Sequence, residues 1–279
     1  AGNSIASGGN YNTVVGDEAG TAITTGDDNI AVGYAALDAN TTGIQNTAIG
    51  SQALSAITTA STNTAVGYSA LKVNTTGSTN VSVGRESMIA NTTGSQNSVL
   101  GGNALYTNTE GDNNVAVGYL ALNANTTADN NVAVGRSAML VNTTGHSNVA
   151  VGSLALDANT TANYNVAVGQ AALSASTTGD ANTAIGAFSL DSNTTADNNT
   201  AVGYAALTAN TTGAGNVAIG YAALDANTTA SDNTSVGADS LTANTTGTAN
   251  VAVGKNAMYA NTTGGNNVAI GYTALDANT

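Results

Sequence analysis

The chain has no cysteine, one histidine and only four basic residues. Each shortage removes a class of function. Without cysteine there are no disulfides and no thiolate ligands or nucleophiles, although the compartment is left open. Lys72, Arg85, Arg136 and Lys255 face seventeen acidic residues, for a formal net charge of −13. A surface this anionic repels a polyphosphate, so nucleic acid is excluded as a partner. No stretch approaches the about 20 apolar residues of a transmembrane helix, so this segment contains no membrane span of that kind. The first residues also lack the basic and apolar regions of a secretory signal. His146 falls in a variable turn column, and no distinctive serine or carboxylate marks it as a general base. It reads as a solvated turn residue. The expectation is therefore a non-enzyme with no catalytic, cofactor-binding or metal site.

What is present is periodicity. Glycines at 16, 33, 50 and onward to 271 stand 17 residues apart without an insertion, which makes sixteen copies of one unit. Asn114 to Ala128 is a typical copy of N-[V/T]-A-[V/I]-G-x-x-A-L-x-A-N-T-T-[G/A]-x-x. An asparagine stands four residues before every one of these glycines, and an aliphatic residue directly before it. Leu or Met follows four residues after it, with Gly20 the sole departure, and a threonine always follows eight after it. The position after the glycine varies (Asp17, Tyr34, Ser51, Arg85, Gln170, Lys255), as a solvent-facing site does.

A period this short excludes paired-helix repeats and propeller blades and lies below the leucine-rich range of roughly 20–29 residues. It fits an all-β fold, a parallel β-solenoid or β-roll of sixteen 17-residue coils. The alternating segment Val132-Ala133-Val134 suits a strand, and the glycine after it permits a positive φ or a close backbone approach. The second segment, such as Ala222 to Ala226, is expected to be a short strand, with a single helical turn as the other reading. Asn-Thr-Thr-Gly then closes the coil. Residues 1–11 form a degenerate partial coil and 12–279 one continuous solenoid that ends in mid-coil. Such an ending is expected of a segment of a longer molecule or of subunits that continue end to end.

The interior is expected to hold continuous ladders. The columns containing Val117, Val134 and Val151, and Leu122, Leu156 and Leu173, form the apolar core, and Asn114, Asn131 and Asn148 hydrogen-bond from coil to coil. Alanine fills many remaining apolar positions, so the core is narrow and burial against partner chains would help it.

The unit Asn63-Thr64-Ala65-Val66-Gly67, repeated as Asn216-Val217-Ala218-Ile219-Gly220, resembles the N-S-V-A-I-G repeat of YadA-like trimeric autotransporter adhesin heads. Similar repeats occur in phage tail fibres. The resemblance covers essentially the whole chain through about five residues per unit, and departs from that family in its longer period and its Thr-Thr turn. It implies a left-handed parallel β-roll, three chains side by side, and attachment to a host or matrix surface. The resulting expectation is an extracellular or cell-surface fibre subunit that assembles with itself, as a lateral trimer or an end-to-end filament, and contacts a receptor or glycan.

Three surface features carry alternatives. Tyr34, Tyr68, Tyr119, Tyr204, Tyr221 and Tyr272 share a column and are a candidate carbohydrate-contacting strip, against plain packing over the coil edge. Asn-Thr-Thr makes glycosylation sequons at Asn40, Asn74, Asn91, Asn125, Asn142, Asn159, Asn193, Asn210, Asn227, Asn244 and Asn261, against a simple turn requirement. The paired threonines resemble the arrays of ice-binding solenoids, but adjacent residues of an extended segment point to opposite faces. Aspartates also recur in the turns, among them Asp112, Asp129, Asp180 and Asp197, and read as solubilising charges without a calcium-binding repeat.

Overall fold

A computed structural model describes residues 9–277. Residues 1–8 of the expected partial coil, and the closing Thr279, lie outside the described residues. The chain is an all-β parallel β-solenoid with a 17-residue period, and among the described residues there is no helix. Two compact units divide it, Ala1–Ser137 and Ala138–Thr279. In the first, eight three-residue strands run from β1 (Thr13–Val15) to β8 (Val132–Val134). Successive strands within the unit pair in parallel, each residue opposite the one 17 positions on. The second unit repeats this from β9 (Val149–Val151) to β16 (Val268–Ile270).

Each strand ends because its glycine turns the chain. The repeat glycines have φ between 130° and 152°, a region closed to other residues. They also meet the next coil so closely that a Cβ on Gly118 would lie 2.6 Å from the Gly135 carbonyl oxygen. Conformation and contact thus both demand glycine.

The second segment is a corner and not the expected strand. Residues two and four after the glycine adopt left-handed φ, as at Ala222 (47°) and Leu224 (55°), which curls the chain and drives the leucine inward. A left-handed L-residue costs roughly 1–2 kcal/mol. Inter-coil hydrogen bonds offset that strain: Leu224 N–H donates to the Ser240 carbonyl at 2.9 Å, and Ala222 N–H to the Tyr204 carbonyl at 3.1 Å.

The pleat faces the other way from the expected valine core. Ala116, Ala133 and Ala150, at the strand centres, are fully buried, while Val117, Val134 and Val151 are only half-buried. Strand side chains alternate, so the inward asparagine before each strand fixes the central alanine as inward and sends both flanking residues out. Leu122, Leu156 and Leu173 fill the interior, and the strand-centre column opposite them is mostly alanine, with Ser82, Val99 and Ser235 the buried exceptions. Gly20 takes the usual leucine position in the coil where Val14 takes the usual alanine position, and a Cβ on it would lie 3.1 Å from Val14 Cγ2.

Candidate functional surfaces

Two asparagine columns line the interior. In the strand-entry column each side chain serves two backbone groups. Asn131 N–H donates to Asn114 Oδ1 at 3.0 Å, and Asn114 Nδ2 donates to the Ala128 carbonyl at 2.9 Å. Asn148 repeats this in the second unit, accepting from Asn165 N–H at 2.9 Å and donating to the Ala162 carbonyl at 2.8 Å. The corner column is a chain of carboxamides. Asn91 Nδ2 donates to Asn74 Oδ1 at 2.8 Å and to the Gly94 carbonyl at 2.9 Å.

That second ladder consists of the sequon asparagines, which overturns their reading as glycan acceptors. Asn40, Asn74, Asn91, Asn125, Asn142, Asn159, Asn193, Asn210, Asn227, Asn244 and Asn261 are all fully buried. The nitrogen a glycan would need is inside the coil, and a sugar there would force the stack apart. The Asn-Thr-Thr triplet serves the corner of the coil.

Both threonines of each pair escape the interior, because the segment bends where an extended chain would alternate. The first is tied down: Thr143 Oγ1 donates to the Thr160 carbonyl at 2.9 Å, and Thr75 Oγ1 to the Thr92 carbonyl at 3.0 Å. The second, such as Thr76 or Thr144, is exposed. The turn aspartates have a backbone duty that composition concealed. Asp129 Oδ1 accepts the Asp112 N–H and Asp197 Oδ1 the Asp180 N–H, both at 2.7 Å. Asp112 and Asp180 do the same for Ser95 and Asn163.

The six tyrosines lie on the surface, between 49% and 74% exposed. Only Tyr204 and Tyr221 occupy consecutive coils; their rings stack with centroids 5.8 Å apart, and Phe188 meets Tyr204 edge-on. The other four stand apart, so the column makes one local aromatic cluster and no continuous strip. Tyr34 has its phenol pKa raised, first by a hydrogen bond with Glu18 and then by that carboxylate's charge. Three half-buried corner aspartates, Asp38, Asp157 and Asp225, have their carboxyls raised, in each case first by burial and then by a nearby acid: Glu18, Asp191 and Asp239 respectively. His146 packs edge-on against Tyr164 at 5.2 Å, with Nδ1 3.3 Å from Ser147 Oγ. Among the described residues no cluster of three or more His, Cys, Asp or Glu could hold a metal ion.

The feature that sequence reasoning missed is the outer face of the sheets. Of the two outward strand columns, the one before the glycine is aliphatic throughout and the other is valine, isoleucine or threonine except at Ser98; Ile30, Ile49, Val81 and Leu100 of the first unit and Ile185, Ile219, Val268 and Ile270 of the second are exposed. No protein-family model matches the chain, and no curated protein matches it.

Proposed function

We propose that this chain is a non-enzymatic structural segment of an extracellular fibre, assembled with copies of itself and serving surface attachment. The observation that supports this best is the outward-facing strand column before the glycine, which carries an aliphatic residue at every coil of each unit. Contiguous apolar surface of this kind marks an interface. Here it repeats at every coil, which suits a partner with the same period, namely another copy. The resemblance to YadA-like adhesin heads points the same way and supplies attachment as the task. A Val117→Lys, Val134→Lys double variant tests it, because both side chains point away from the interior. It should keep the wild-type far-UV spectrum and lose self-association; a variant that assembles like the wild type would overturn the reading.

A second reading, recognition of ice or a carbohydrate, is supported by the outward projection of both threonines. It predicts that charged replacements along the exposed column of Thr76, Thr93 and Thr127 abolish binding to ice or glycan. A purely structural fibre would stay assembled and unaffected.

A further inference from the structure

We propose that one water molecule is built into the interior of the second unit, standing in for a missing carboxamide between Asn159 and Asn193. The corner column carries asparagine through this unit except at Ser176. In an intact stretch each carboxamide bridges its neighbours. Asn210 Nδ2 donates to Asn193 Oδ1 at 3.0 Å and to the Gly213 carbonyl at 2.9 Å, and Asn210 Oδ1 accepts from Asn227 Nδ2 at 2.9 Å.

Ser176 is too short to do this. Ser176 Oγ and Asn159 Oδ1 are both fully buried and have no hydrogen-bond partner in the protein. The Gly179 carbonyl takes the strand-entry amide of Asn165 at 2.8 Å, whereas its counterpart Gly213 takes both Asn199 and Asn210. Asn193 Nδ2 donates to the Ala196 carbonyl at 3.0 Å, and the next group along the ladder is a serine instead of a carboxamide.

An unsatisfied buried polar atom costs about 1–3 kcal/mol, so two adjacent ones call for a partner. By analogy with Asn210, the missing amide would have donated to two acceptors, Asn159 Oδ1 and the Gly179 carbonyl, and the unpartnered Ser176 hydroxyl stands in the same column. A single water can donate to both acceptors and accept from the hydroxyl. The volume lost from asparagine to serine is on the order of the ~30 Å³ that a water occupies, and buried waters typically have about three such partners.

The ladder's other kind of interruption shows why a water belongs only here. Ile57 fills its place with a fully buried apolar side chain, and Asn40 Oδ1 there turns to the Gly43 N–H at 3.1 Å. Isoleucine leaves neither room nor an orphaned oxygen; serine leaves both.

High-resolution structures of the wild type and of Ser176→Asn, with hydrogen exchange of the surrounding amides, test the proposal. The wild type should show one ordered water within hydrogen-bond distance of Asn159 Oδ1, the Gly179 carbonyl and Ser176 Oγ. In Ser176→Asn the carboxamide should replace it, and local exchange should slow by about tenfold. A dry wild-type interior with the Asn159 amide rotated onto a protein partner would overturn it, as would faster local exchange in Ser176→Asn.

Discussion

The strand-entry asparagine column is unbroken through all sixteen units, whereas the corner column accepts Ile23, Ile57 and Ser176. Both columns are buried and both form ladders, so burial does not explain the difference. Their partners do. A strand-entry side chain accepts a main-chain N–H that every coil possesses, as Asn216 Oδ1 does from Asn233 at 3.0 Å. Removing it orphans a backbone group that cannot be edited out. A corner side chain trades with neighbouring carboxamides and with a carbonyl that a strand-entry amide also reaches, as Gly213 takes both Asn199 and Asn210, so its loss leaves that main-chain group paired. Recurrence within this repeat follows obligations to the main chain.

The largest expected effect tests the unbroken column. Asn216→Leu removes the acceptor of the Asn233 N–H and the amide that reaches the Ala230 carbonyl at 2.8 Å. It should destabilise the second unit by about 1–3 kcal/mol, seen in urea unfolding and in faster exchange around Asn233. Wild-type stability would break the comparison. Asn210→Ile should cost less, below about 1 kcal/mol, because isoleucine already serves this column at Ile57, where Asn40 Oδ1 turns to the Gly43 N–H, and the Gly213 carbonyl keeps its bond from Asn199 at 2.9 Å. A cost equal to that of Asn216→Leu would show that the two columns are equivalent.

The smallest effect concerns pH. Asp157 has a raised carboxyl pKa through burial and then the charge of Asp191. A raised folded value means that the folded state takes up its proton before the unfolded chain does. The stabilisation is fully present below the ordinary carboxylate value of 3.8 and is lost as pH rises through the folded value. Asp38 and Asp225 add the same sign. Thermal unfolding between neutral and mildly acidic pH should therefore show stability rising as pH falls towards that value, and Asp157→Asn should weaken the dependence. A slope of opposite sign, or one unchanged in the variant, would count against it.

Much of the architecture was legible because it is written in the period: the 17-residue glycine spacing, the leucine interior and the strand-entry asparagines all follow from stacking one unit on itself. The orientation of the pleat was not. Val-Ala-Val has no polar member to mark its outward face, and the larger residues were assigned inward by size, whereas Ala133 is buried and Val134 half-exposed. The corner was hidden for a different reason. Leucine has no preference for a left-handed backbone, so Leu224 carries no local sign of the conformation that inter-coil hydrogen bonding imposes. The sequons misled because an acceptor motif describes three residues and says nothing of burial. The surface proposed to matter most, the aliphatic outer sheet face, became visible only once the pleat was oriented.

Sedimentation velocity of the unaltered chain at micromolar concentration tests the central claim most directly. The account predicts a defined homo-oligomer or a concentration-dependent series of larger species, with the outer sheet face covered. A single stable monomer under those conditions would contradict it.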